Sequence, residues 1–134
     1  MPSLRQANLM LLALLVLHTI DHAVGQPTRD LPGSSSLVGA LGFAFVAASS
    51  WLAIQRSPLA PLASLSVGAL TAAGVFAIHL MPSWWTWVSD PYWDFNASTT
   101  SWLSLLALLG AALYLTYAGY RRFRHARLTE PAPI

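Results

Sequence analysis

The chain has 134 residues, of which 55% are hydrophobic and 9% are charged, and its mean hydropathy is +0.54, which is too apolar for a soluble domain. The net charge is +2, but four of the seven basic residues form one cluster at Arg121–Arg127, so this charge does not favour nucleic-acid binding. Because the chain contains no cysteine and no lysine, thiol–disulfide exchange, thiolate metal ligation and lysine–imine chemistry are excluded.

The first predicted element is an apolar helix over residues 4–24, close to the length of about 20 residues that crosses a bilayer. His18, Asp21 and His22 fall in its last third, and residues three and four apart share one face of a helix. Ionisable side chains at membrane depth are costly, and they face protein or a water-filled cavity. These three residues therefore indicate a candidate functional site.

The same segment leaves a second interpretation open. Arg5, a short leucine-rich core and Ala23-Val24-Gly25 before Gln26 resemble a signal peptide with its cleavage site. Two histidines and an aspartate are unusual just before a cleavage site, which favours a retained membrane span. If cleavage occurred after Gly25, the mature protein would lack the candidate site.

The second and third predicted spans cover residues 35–54 and 61–81, with prolines marking the ends of the third. His79 lies in the last turn of the third span. Small residues run along both spans and would let helix backbones approach closely, although such residues are also common in apolar segments. They are Gly39, Gly42, Ala44, Ala47, Ala48, Gly68, Ala72, Ala73 and Gly74.

The connection over residues 82–95 holds six aromatic residues together with Asp90 and Asp94. One interpretation is an interfacial aromatic belt, with the rings at the level of the lipid headgroups. Another is a lid over the histidine site, with Trp84 and Trp85 excluding water or holding an apolar ligand.

The fourth predicted span covers residues 98–120, and a basic tail over residues 121–134 follows it. We therefore expect one integral membrane domain over residues 1–134, an all-α four-helix transmembrane bundle in a plasma membrane. Arg5, Arg56 and the Arg121–Arg127 cluster all fall on the same side of these spans. Cytoplasmic segments are rich in arginine, so both termini are predicted to be cytoplasmic and the aromatic connection to lie outside.

This topology places His18, His22 and His79 at similar depth near the outer leaflet, with Asp21 beside them. Imidazole and carboxylate groups without sulfur suit zinc, copper or iron, and Asp21 can bind the metal or orient a histidine. A haem held by two histidines is a less favoured alternative. Asp90 and Asp94 are candidate supporting acids.

Three functions follow from this pattern. The first is a membrane protein that binds a metal ion, a haem or a small ligand. The second is an accessory or assembly subunit that packs against a larger complex or a second copy of the chain, with histidines that only stabilise the bundle. The third is a lipid-modifying enzyme that uses a histidine and an aspartate as an acid–base pair.

Overall fold

The computed structural model describes residues 3–25, 33–85 and 88–129 of the chain. In these ranges it contains no strand, and its four α-helices are α1 (Leu4–Ile20), α2 (Gly33–Ile54), α3 (Ala60–Val75) and α4 (Thr99–Thr129). A π-helical turn extends α1 over Asp21–Gly25, and another extends α3 over Phe76–Leu80. The four helices are long and apolar enough to cross a membrane, which confirms the predicted all-α, four-span fold.

Local hydrogen bonds set where the first helices begin and end. α1 begins with a capping box in which the Ser3 hydroxyl accepts from the Gln6 amide and the Gln6 side chain accepts from the Ser3 amide. α2 ends at Ile54, and the positive φ of 53° at Arg56 just beyond it lets the Ser57 amide donate back to the Leu52 carbonyl. The chain therefore turns sharply into α3.

α4 continues through the basic cluster to Thr129, beyond the predicted end of the fourth span at Tyr120. No proline or glycine interrupts residues 120–129, and arginine, leucine and alanine are good helix formers. Arg127 also lies over the Phe123 ring, 4.6 Å from its centre, in a pair four residues apart. The predicted tail therefore begins as a helical extension of the last span.

α3 and α4 pack antiparallel with their backbones in contact. A Cβ atom on Gly68 would lie 2.6 Å from the Thr116 amide nitrogen, and one on Gly119 would collide with the Leu65 amide nitrogen. Gly68 therefore has the close-packing role that the sequence predicted. A Cβ atom on Gly39, Gly42 or Gly74 would meet no neighbouring segment of the described chain within 4 Å, so the small residues of the bundle do not all serve that role.

A buried polar group joins α1, α2 and α3 in the half of the bundle nearer the chain's N-terminus. Asn8 donates to the Ser64 hydroxyl at 2.8 Å and to the Leu4 carbonyl at 2.9 Å, and it accepts from the Ser49 hydroxyl at 2.7 Å. The Ser50 hydroxyl donates to the Val46 carbonyl at 2.8 Å. We call Asn8, Ser49, Ser50 and Ser64 the Asn8 cluster.

Candidate metal centre

Three histidines meet at the opposite end of the bundle from the Asn8 cluster. His18 lies in the last turn of α1, His22 in the π-helical turn that follows, and His79 in the π-helical turn that ends α3. π-helical turns are rare and occur frequently at functional sites, because the wider turn changes the direction in which side chains point. Both of these turns carry a histidine into the same part of the bundle.

The imidazoles lie close together. One ring nitrogen from each lies within 4.8 Å of those of the other two. The ring centres are 4.6 Å apart for His18 and His22, 5.3 Å for His18 and His79, and 5.2 Å for His22 and His79. His18 and His79 are buried, and His22 is partly buried. We call these residues the three-histidine cluster.

The tautomer of His18 follows from its contact with α4. His18 Nδ1 lies 3.3 Å from the Ser104 hydroxyl oxygen, and that hydroxyl donates its own proton to the Ser101 carbonyl at 3.0 Å. Since the single hydroxyl proton is already used, the Ser104 oxygen accepts from His18 Nδ1–H. The proton is therefore on Nδ1, and Nε2 of His18 carries a lone pair.

His79 is fixed in the same way by the connection between α3 and α4. His79 Nδ1 lies 3.1 Å from the Asp90 backbone carbonyl oxygen, which can only accept a hydrogen bond. His79 Nδ1 must therefore be the donor, and its Nε2 carries the lone pair. The Asp90 amide in turn donates to the Ile78 carbonyl at 2.9 Å, so this segment is bonded directly to the end of α3.

His22 faces two groups from the same connection. Its Nδ1 lies 4.0 Å from a carboxylate oxygen of Asp90, which is itself buried, and its Nε2 lies 3.4 Å from the Tyr92 hydroxyl. At 4.0 Å the carboxylate is beyond hydrogen-bond distance of Nδ1, but its negative charge favours a proton there, and with that proton in place Nε2 accepts from the Tyr92 hydroxyl. With the proton on Nδ1, His22 has the same tautomer as the other two histidines.

Of the acids and tryptophans predicted at this site, the structure brings Asp90 to the histidines. Asp21 is partly buried and close enough for its charge to act on His18 and His22, but it does not belong to the group of three convergent ligand atoms. Asp94 is exposed. Trp84 and Trp85 are exposed, with ring centres 5.7 Å apart, and Trp84 donates to the Ala77 carbonyl at 2.7 Å.

Two residues at the site were not predicted from the sequence. Tyr92 is 1% exposed, and its ring centre lies 5.0 Å from that of His79. Its place in an aromatic-rich connection was the only signal, and that signal did not separate it from its neighbours. Ser104 lies among apolar residues in α4, and nothing in its local sequence marks it as a partner of His18.

The chain was also compared with known proteins. It has no significant match to a protein family, to a curated protein or to a solved structure.

Proposed function

We propose that this membrane protein binds a divalent first-row transition-metal ion through Nε2 of His18, His22 and His79. The observation that carries the proposal is that one nitrogen of each ring lies within 4.8 Å of those of the other two, in a cluster where His18 and His79 each hold their proton on Nδ1. In metal sites, a ligating histidine usually donates its other ring N–H to a carboxylate, a carbonyl or a similar acceptor. The Ser104 hydroxyl and the Asp90 carbonyl fill that role for His18 and His79, and the Asp90 carboxylate lies 4.0 Å from Nδ1 of His22.

The spacing of the rings suits a single ion. With metal–nitrogen bonds of about 2 Å in a tetrahedral site, the ligand nitrogens lie about 3.3 Å apart and the ring centres about 5 Å apart. The observed ring centres lie between 4.6 and 5.3 Å apart, so small rotations of the rings are enough to bring the nitrogens to that distance. Zinc and copper(II) accept neutral imidazole ligands of this kind.

The same spacing argues against a haem. An iron held between two imidazoles on opposite faces of a porphyrin requires ring centres about 6.4 Å apart, with the macrocycle lying between them. Every pair in the three-histidine cluster is closer than that, and the Tyr92 ring packs beside His79. We therefore favour a small ion over the haem alternative.

The charges around the cluster support a divalent cation. Three neutral imidazoles leave the full charge of the ion uncompensated, which is costly near a low-dielectric membrane. The Asp90 carboxylate lies beside His22, and the charge of Asp21 acts on His18 and His22. Two carboxylates would balance a charge of two without entering the coordination sphere.

Three protein ligands leave one position of a tetrahedral ion open, as in sites where a metal binds water or substrate. Arg5, Arg56 and the Arg121–Arg127 cluster lie at the opposite end of the bundle from the three-histidine cluster. Because arginine-rich ends face the cytoplasm, we propose that the cluster lies toward the outer surface of the membrane.

Metal content after purification in detergent tests the proposal. The protein is loaded with Zn²⁺ or Cu²⁺, dialysed and measured by elemental analysis. We expect one ion per chain, with its loss in His79→Ala and its retention in the matched control His125→Ala, which changes a histidine of the basic cluster. Metal content that is the same in His79→Ala and in the unmodified protein would contradict the proposal.

A further inference from the structure

The basic cluster at Arg121–Arg127 lies where α4 extends past its neighbouring helices. Gly119 packs against the first two turns of α3, which begins at Ala60. α1 runs antiparallel to α4 and begins at Leu4, fourteen residues before its hydrogen bond to α4 and thus level with Ala118. Most of the basic cluster therefore lies on a stretch of helix alongside which neither α1 nor α3 runs, and its four arginines are exposed.

The length of α4 puts this stretch at the level of the lipid headgroups. From the start of α4 at Thr99 to Arg121 the helix rises by about 33 Å, slightly more than the hydrocarbon core of about 30 Å. From Arg121 to Arg127 it rises by about 9 Å, and one headgroup layer is about 5 to 8 Å thick. Tyr117 and Tyr120, which are half-exposed, lie at the boundary between these layers, where tyrosine is enriched.

The four arginines are spread around the helix axis. At about 100° per residue, Arg122, Arg124 and Arg127 lie at about 100°, 300° and 240° from Arg121. A helix that lies flat on a membrane has its charges on one face and apolar residues on the other, which is not the pattern here. Cations on all sides suit a helix that stands upright in a layer of anions, and they do not form the single charged face that one acidic protein surface would contact.

Two of the guanidinium groups are also held close to the helix by aromatic rings. Arg121 lies over the Tyr117 ring, 5.8 Å from its centre, and Arg127 lies over the Phe123 ring at 4.6 Å. A guanidinium group that is already held in place loses less freedom when it binds a ligand. Guanidinium binds phosphate oxygens through two parallel hydrogen bonds, so the phosphates of the headgroup layer are suitable partners.

We infer that the basic cluster binds the headgroups of anionic phospholipids and enriches these lipids around the end of α4. The charge complementarity, the exposure of the arginines and their depth in the bilayer together favour this partner. Because the three-histidine cluster lies at the opposite end of the bundle, this interaction does not depend on the proposed metal site.

Native mass spectrometry of the full chain in detergent tests the inference, with phosphatidylglycerol and phosphatidylcholine of equal acyl chains as the titrated lipids. We expect phosphatidylglycerol to bind about tenfold more tightly or better. Arg122→Gln/Arg124→Gln should raise its dissociation constant about 25-fold, since each basic residue near an anionic membrane surface contributes about fivefold. The dissociation constant of phosphatidylcholine should stay unchanged.

The matched control is Arg5→Gln/Arg56→Gln, which also removes two positive charges from this end of the bundle but leaves the basic cluster intact. It should raise the dissociation constant of phosphatidylglycerol by less than about threefold. Arg122→Gln/Arg124→Gln keeps Arg121 and Arg127 at the end of the span, so its helix content, measured by circular dichroism, should be unchanged.

Three results would overturn the inference. The first is equal affinity of the unmodified protein for the two lipids, and the second is an equal loss of affinity in the two double variants. The third is binding of an oligoglutamate peptide to the basic cluster when the protein is in phosphatidylglycerol nanodiscs. Headgroups that occupy the arginines would exclude such a peptide, so its binding would indicate an acidic protein as the partner.

Discussion

The bundle contains two buried polar clusters, and they are built on opposite principles. In the Asn8 cluster, the amide of Asn8 bonds directly to hydroxyls of α2 and α3, so donors and acceptors satisfy one another. In the three-histidine cluster, the hydrogen bonds of His18 and His79 run to groups around the cluster, not from one imidazole to another. The first cluster is complete by itself, whereas in the second one ring nitrogen of each histidine lies within 4.8 Å of those of the other two.

Under the proposed function, this difference separates a polar cluster that only stabilises the membrane protein from one that binds a metal ion. Hydrogen bonds between transmembrane helices join the helices whether or not a ligand is present. Ring nitrogens whose lone pairs face a common region repel one another, and a bound cation would remove that repulsion. The comparison predicts that substitutions in the Asn8 cluster change stability alone, while those around the histidines change metal binding.

The largest expected effect is stabilisation by the metal itself. At a free metal concentration of about 1,000 times the dissociation constant, binding to the folded state alone raises the free energy of unfolding by about 4 kcal/mol. We expect this gain, measured by denaturation in mixed micelles with and without Zn²⁺, in the unmodified protein and in Asn8→Leu. The gain in the free energy of unfolding should be absent in His18→Ala. Equal gains in His18→Ala and Asn8→Leu would contradict the distinction between the two clusters.

Asp90→Asn should have the next largest effect. The change keeps the size of the side chain but removes the negative charge beside His22 Nδ1. Loss of a group that orients a metal-binding histidine typically lowers metal affinity by about 10- to 100-fold. Competition with a coloured chelator measures this loss, and Asp94→Asn in the same connection, where the acid is exposed, provides the control. An affinity equal to that of Asp94→Asn would show that the Asp90 charge has no such role.

Asn8→Leu should lower stability and leave the metal affinity unchanged. The substitution removes three side-chain hydrogen bonds, to Leu4, Ser49 and Ser64. Two of these bonds, to Ser49 and Ser64, join different helices, and at about 0.6 kcal/mol for each the free energy of unfolding should fall by about 1.2 kcal/mol. A change in Zn²⁺ affinity of more than about threefold would mean that the two clusters are coupled through the bundle.

The smallest predicted effect is that of Ser104→Ala. The substitution removes the acceptor for His18 Nδ1–H while leaving the imidazole in place. One neutral hydrogen bond contributes about 1 kcal/mol, so Zn²⁺ affinity should fall about fivefold. Thr100→Ala, an exposed position in the same helix, is the control for the chelator titration. No loss relative to Thr100→Ala would mean that Ser104 does not orient His18.

The fold was readable from the sequence because bilayer thickness fixes the length of an apolar span, and proline and arginine mark where spans end. The histidines could be grouped because α1 and α3 run in the same direction, which puts His22 and His79 at one depth. Their tautomers could not be predicted. They depend on Ser104, from a helix that follows much later in the chain, and on a backbone carbonyl, which has no signature in sequence.

The aromatic connection was the least predictable region for a related physical reason. Its composition is the same for a belt at the membrane surface and for a segment folded over the site. Exposed Trp84 and Trp85 differ from buried Tyr92 only because the chain returns to bond with the Ile78 and His79 carbonyls. Such a return depends on the whole bundle, so periodicity and spacing along one segment carry no information about it.

The contact of Gly68 with Thr116 has a consequence for how this sequence can vary in length. From that crossing point, His79 lies eleven residues further along α3, and Ser104 lies twelve residues back along α4. At about 1.5 Å per residue, His79 and Ser104 both lie roughly 17 Å from the crossing point, so the two helix segments have nearly the same length. One residue inserted into or deleted from either segment would rotate the His79 or Ser104 side chain by about 100° around its helix axis. Natural variants that keep the histidines should therefore keep both intervals, however much the intervening side chains differ.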